Sequence, residues 1–252
     1  MRHVPTLLRR ELAAYFLSPM AYLILAAFQV IAWVDFYVLV RQLADPRTVS
    51  AGMIDPMNVY VAGNQVFWVA LLVAVPALTM RLLAEERRSG TIEGLLTVPI
   101  TEAEVVLAKW LAGVAMFGAL LLPFALYLPV LRHYGHYEFD LGPVAALGIG
   151  LTTIGMMFVA IGVFFSALTR HQIVAAIATF GALFVLVVVT NLAHSTAVQN
   201  QEPWADAARF VAVLPQAATL ATGRLDIRVP ALHLSVAAAL LYLTTKVLQA
   251  RR

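Results

Sequence analysis

The chain has no cysteine among its 252 residues, and Asp, Glu, Lys and Arg together make up only 12% of it. The first absence excludes a disulfide framework and thiolate chemistry. The second excludes a water-soluble enzyme, a disordered tail and a coiled coil, because soluble domains carry about 25% charged residues. Lysine is nearly missing too, occurring only as Lys109 and Lys246. Neither follows a Gly-rich turn, so no phosphate-cradling Gly-x-x-x-x-Gly-Lys-Ser/Thr loop exists. A Gly-x-Ser motif for an intramembrane serine protease is missing, as is a His-Glu-x-x-His zinc motif. An intramembrane enzyme is therefore disfavoured, and no catalytic residue can be named. The net charge is only +3 and no basic stripe runs through the sequence, which leaves nucleic acid out as a partner.

What the chain has in quantity is apolar length. Hydrophobic residues make up 62% of it, with a mean hydropathy of +0.85. A bilayer span needs about 20 apolar residues. Six such stretches occur, at about 20–40, 60–80, 105–131, 141–168, 173–193 and 230–248. The expected fold is an all-α integral membrane protein, with residues 1–252 forming one transmembrane domain. The apolar run after Arg2, Arg9 and Arg10 is too long for a signal-peptide core and lacks a small-residue cleavage site, so it reads as the first span. With the N-terminus inside, eleven of the 17 basic residues fall on the cytoplasmic side. That bias predicts both termini in the cytoplasm.

The segments between spans carry further information. Over 5–16, Leu8, Leu12, Tyr15 and Phe16 recur at helical spacing among Arg9, Arg10 and Glu11, which predicts an amphipathic interfacial helix broken by Ser18-Pro19. The densest charge lies over 81–101, too polar to enter the membrane. This segment continues the second span inward and turns at Ser89-Gly90. A short helix over 91–97 follows, halted by Pro99, and then a Thr101/Glu104 capping box. The short helix presents Ile92, Leu95 and Leu96 beside Glu85, Glu86, Arg87, Arg88 and Glu93. It suits docking into a groove on a cytosolic partner as well as it suits a solvated loop that holds topology. The fourth span is rich in small residues, with Gly148, Gly150, Gly155 and Gly162. These serve packing within one bundle or a subunit interface equally well. The outer segment 195–229 mixes charges with apolar runs too short to span, and reads as short re-entrant helices in the outer leaflet. His133, His136, Glu138 and Asp140 gather four possible metal ligands, more simply read as a polar loop. Asp35 is the one charge well inside a span and reads as a carboxylate near the outer helix end, not a proton relay.

At this point the residues resemble a known family. Arg9-Arg-Glu-Leu-x-x-Tyr15-Phe-x-Ser-Pro19 is similar to the amphipathic opening helix of ABC-2 type ABC transporter permeases. The stretch from Pro76 through Arg81, Glu85-Glu86-Arg-Arg-Ser-Gly90-Thr91-Ile-Glu93 to Pro99 resembles that family's coupling-helix region. Ser166-x-Leu-Thr-Arg170-x-Gln-Ile-Val and Leu214-Pro215 through Arg228 are similar as well. The branch resembled includes gliding-motility and nitrous-oxide-reductase-maturation permeases. Gly94 departs from the family pattern, where a helix former is more frequent. The resemblance implies a permease subunit of an exporter in the inner (plasma) membrane. It pairs with a second permease, as a homodimer or related heterodimer, and is surrounded by membrane lipid. ATP and Mg would belong to a separate cytosolic ATPase dimer, leaving this chain without a cofactor. That ATPase would be gripped through Glu85, Glu86, Arg87, Arg88, Gly90, Thr91, Ile92, Glu93, Leu95 and Leu96. The alternative reading is a membrane scaffold or assembly factor with no transport cycle. The substrate cannot be read from the sequence.

Overall fold

A computed structural model describes residues 3–44, 57–89, 101–134 and 140–250. Among them every regular element is helical and no strand occurs. Helix α1 (Val4–Phe16) closes at Leu17, whose N–H reaches the Ala13 carbonyl. Pro19 then opens α2 (Pro19–Ala44), where a missing N–H costs nothing. Six helical stretches are long and apolar enough to cross a membrane: Pro19–Ala44, Gln65–Arg88, Glu102–Val130, Leu141–Leu168, Gln172–Gln199 and Arg228–Gln249.

The second of these starts later than the apolar run suggests. A separate wide turn, Asn58–Ala62, ends at Gly63, and the span proper is α3 (Gln65–Thr79). The reason is local. The Asn64 side chain accepts hydrogen bonds from the Val66 and Phe67 N–H groups at 3.0 and 3.3 Å, a strong N-cap that hydropathy does not register. After α3 the backbone loosens over Met80–Leu83 and re-forms as the short α4 (Ala84–Ser89). Helix α5 (Glu102–Tyr134) opens on the expected reciprocal cap: Thr101 N–H donates to Glu104 Oε2 at 3.2 Å, and Glu104 N–H to Thr101 Oγ1 at 3.4 Å.

Helix α6 (Leu141–Leu168) is the axis of the bundle. Three-residue spacing carries α6 into α7 (Gln172–Phe184), which passes through a widened turn, Val185–Val189, into α8 (Thr190–Gln199). The fifth span therefore reaches Gln199, beyond the 193 expected from hydropathy. Two short helices follow, α9 (Ala205–Val211) and α10 (Val213–Ala221), before the last span, α11 (Arg228–Gln249). Gly223 ends α10 at φ +82°, the left-handed region where a side chain is strained.

Helix α6 packs on α11, α7, α10, α5 and α3. Its small residues permit this. A Cβ at Gly150 would lie 2.2 Å from Leu220 of α10, one at Gly155 2.1 Å from Phe117 of α5, and one at Gly162 2.1 Å from Thr79 of α3. These glycines hold one bundle together, which decides between the two uses open to them. Gly148 differs, with nothing within 4 Å of its Cβ position. A second nucleus joins α2, α3 and α5, where the rings of Phe28, Phe67 and Phe124 meet edge-on or tilted at 5.0–6.0 Å.

The outside of the bundle is apolar. Trp33 on α2 is 58% exposed and Ile177 on α7 65%, with Val73, Leu126 and Tyr242 likewise outward. Such a surface needs hydrocarbon as its solvent.

The Gly162 contact predicts a paired result. Thr79 is fully buried, so Gly162→Ala forces it aside and lowers stability by about 1–3 kcal/mol. Gly148→Ala meets open space and leaves stability level or slightly raised. Thermal unfolding of the detergent-solubilised protein measures both, and equal shifts for the two variants would contradict the packing assigned to α6.

Candidate functional site

The charge-rich connection after α3 begins with a joint. Pro76 lies inside α3, and the helical ladder lapses at Met80–Leu83. The free backbone groups there are met by one side chain from α6. Ser166 Oγ, fully buried, accepts from the N–H of Leu83 at 3.0 Å and of Ala84 at 3.1 Å, and donates to the Met80 carbonyl at 3.1 Å. The same hydroxyl thus closes α3 and opens α4. Arg87 of α4 donates to the Ala167 carbonyl, near the C-terminal end of α6 where the carbonyl dipoles point. Helix α4 is therefore held against the end of the central helix.

A second set of contacts holds it from the other side. Lys109, on the first turns of α5, is 2% exposed. Its Nζ lies 3.0 Å from Glu11 Oε2 on α1 and 2.9 Å from Glu86 Oε1 on α4. Arg10 closes the ring, 2.7 Å from Glu11 and 3.2 Å from Glu86. Two cations and two carboxylates from three helices thus neutralise one another. The Lys109 pairs carry most of the energy, because Arg10 is half exposed and its pairs are screened. Tyr15 anchors α1 further by donating to the Leu78 carbonyl at 2.7 Å. Burial, with the Glu11 carboxylate adding to it, pushes the Tyr15 phenol well above its ordinary range, so it remains a donor.

The arrangement adds a role to Lys109 and to helix α1. Lys109 is no mere topology charge but the centre of the knot. Helix α1 does more than present an amphipathic face, since Val4 and Leu7 pack on Val105 and Ala108 of α5. The signal was present as a lone lysine in an apolar run, which demands buried carboxylates. Their identity depended on how three helices converge.

Of the sequence-derived coupling residues, the structure brings Glu86 and Arg87 into these contacts. Glu85 and Arg88 are left on the exposed side of α4. Gly90, Thr91, Ile92, Glu93, Leu95 and Leu96, with the rest of 91–97, lie outside the described residues. So do His136 and Glu138 of the four possible metal ligands. Asp140 caps α6, accepting from Gly142 N–H at 3.0 Å, and His133 is exposed.

Asp35 corrects an expectation. It is 5% exposed and turned into the bundle, where its Oδ2 is buried without a hydrogen-bond partner, and does not reach outward along the helix end. Another polar group was not foreseen. His233 of α11, 1% exposed, has Nε2 3.0 Å from Gln216 Oε1 of α10 and Nδ1 3.2 Å from Thr153 Oγ1 of α6. With Nε2–H donating to Gln216, the neutral ring leaves Nδ1 as an acceptor for the Thr153 hydroxyl. That hydroxyl also lies 2.9 Å from the Gly150 carbonyl and can donate to either one. This link ties the short helix α10 to two spans.

Six apolar helices with a charged knot at one end define a multi-pass membrane protein. The model of the ABC-2 family transporter proteins matches residues 6–244. The chain belongs to that family, as a permease component and not the nucleotide-binding subunit, and the family pairs with an ABC ATPase. A search of curated proteins finds no match.

The ion knot predicts a strong asymmetry. Lys109→Met leaves Glu11 and Glu86 facing each other in a closed site and costs about 3–5 kcal/mol. Combining it with Glu11→Gln and Glu86→Gln restores most of that loss. Thermal midpoints of the single and triple variants test this, and an unrecovered triple variant would refute mutual neutralisation as the role of the cluster.

Proposed function

We propose that the chain is the permease of an exporter, coupling ATP hydrolysis by a cytosolic ABC ATPase dimer to passage of substrate out of the cytoplasm. ATP and Mg bind in that partner. The permease lies in the inner membrane with both termini in the cytoplasm and works beside a second permease copy or a related chain. Its ties to the gliding-motility and nitrous-oxide-reductase-maturation branch belong to the same reading.

The observation that carries this proposal is the knot around Lys109. A coupling element must pass a displacement on without dissipating it. Helix α4 leads directly into the charge-rich connection. It is joined to α5 and α1 by buried ion pairs and to α6 by Ser166 and Arg87. A push on this connection moves α1, α4, α5 and α6 together, because packed side chains and buried pairs resist shear. In the proposed cycle, ATP draws the ATPase subunits together. The segment 91–97 follows, and the bundle turns about the α6 axis.

The test is association with the cognate ATPase. Deleting 91–97 is expected to leave membrane insertion intact and remove co-purification of the ATPase. Glu93→Ala and the Leu95/Leu96 double alanine change are expected to weaken it about tenfold or more. Undiminished association and normal ATPase regulation in all three would place the docking surface elsewhere, and a chain that binds no ATPase would be a scaffold. Because the sequence has no cysteine, Arg170→Cys and Glu202→Cys give clean single-thiol labels. The first is expected to react only from the cytoplasm and the second only from outside.

A further inference from the structure

A cavity of about 640 Å³ opens at the end of the bundle away from the Lys109 knot. The fifth span fixes its position. That span starts at Gln172, just after the end of α6 that holds the α3–α4 joint, and runs 28 residues, about 40 Å, to Gln199. The cavity lies toward its far end. His194 of α8, Arg209 of α9, Thr219 of α10, then Thr222 and Arg224 just beyond α10, line it together with Asn58.

Among the described residues no carboxylate lines this cavity. Glu202, Asp206 and Asp226 belong to the same segment, yet none reaches it. Asp226 serves α11 instead, its Oδ1 accepting from Arg228 N–H at 3.0 Å. Arg209 and Arg224 make no ion pair. Both are exposed, so water meets their charge. What sets them apart is that they share one concave surface, which focuses a field of one sign and gathers counter-ions. The fold also places them. Thr219 Oγ1 accepts from Arg209 Nη2 at 3.1 Å while its own hydroxyl donates to the Pro215 carbonyl at 2.8 Å. Arg224 follows the left-handed turn at Gly223, where a Cβ would stand 3.3 Å from Pro143 at the start of α6. His194 Nδ1 lies 3.3 Å from the Ala205 carbonyl, which only accepts, so this nitrogen carries the hydrogen and ties α8 to α9.

We propose that this mouth binds a phosphomonoester, with its phosphoryl oxygens on Arg209 and Arg224. Charge selects the group. A carboxylate or a phosphodiester brings one negative charge, whereas a phosphomonoester brings close to two at neutral pH and three terminal oxygens. Two uncompensated guanidinium groups match it in charge and in planar donor pairs. The volume falls in the range of ligand pockets, about 300–1,000 Å³, and exceeds the needs of a phosphoryl group, so the phosphoryl is one end of a larger molecule. The inference rests on this cavity alone and holds whether or not the chain exports anything.

The experiment uses the full chain in a neutral detergent, delipidated and titrated with glycerol 3-phosphate as a water-soluble monoester and phosphatidic acid as a lipid one. Calorimetry and native mass spectra read affinity and stoichiometry, and thermal midpoints without ligand check folding. At least one of the two is expected to bind one-to-one, and which one does so tells whether the larger body is soluble or lipid. Phosphatidylglycerol, a diester, and acetate should bind at least about fivefold more weakly. Arg209→Gln and Arg224→Gln should each weaken the monoester about fivefold or more at unchanged ligand-free midpoints, and added salt should weaken it in the unaltered chain. Arg228→Gln, in the same segment but outside the cavity, should bind as the unaltered chain does. Failure of both monoesters to bind, undiminished binding by both arginine variants, or equal binding of the diester would each overturn the proposal.

Discussion

One ammonium group inside the protein governs the inner architecture. Lys109 is almost fully enclosed, and an unpaired charge in such a place costs several kcal/mol. That requirement draws Glu11 and Glu86 to it, and with them α1 and α4. Apolar contact helps to hold α1 on α5, and the ion pairs add the link from α1 and α5 to α4. Helix α4 is six residues long, while α1 buries Val4, Leu7 and Glu11 and packs Tyr15 against the core. The electrostatic constraint therefore sets where the polar connection leaves the bundle, and with it where any force on that connection enters.

The rest of the bundle solves a different problem. In lipid there is no hydrophobic reward for one apolar helix meeting another, so contact must come from close fit and from polar links. Helix α6 supplies both. Gly150, Gly155 and Gly162 remove the side chains that would keep Leu220, Phe117 and Thr79 away. Thr153 and Ser166 then place hydroxyls where α11 and the α3–α4 joint need them. Close fit and hydrogen bonding alternate along a single helix, which explains why so many elements meet on it.

Much of this was legible in the sequence, and for physical reasons. Long apolar runs and a bilayer of fixed thickness leave few choices, so six spans were expected and six helices of suitable length and composition are present. The Thr101/Glu104 cap was readable because its chemistry is local. Where the reading went astray, a competing local or distant interaction decided. Asn64 moved the start of the second span because a cap outweighs hydropathy at a helix end. Asp35 is buried by neighbouring helices of the bundle, which its distance from the helix end does not reveal. His233 went unnoticed because its partners sit 17 and 80 residues off. No periodicity encodes such meetings.

The order of the charges along the chain has its own bearing on how the protein is made. Glu11 and Glu86 both precede Lys109, and synthesis runs from the N-terminus. When the ribosome releases the third span to the translocon, both acidic partners have already been delivered. The lysine never has to wait alone in oil. Had the acids come from the last span instead, which begins at Arg228, the bilayer would have had to tolerate a bare cation for more than a hundred residues of further translation.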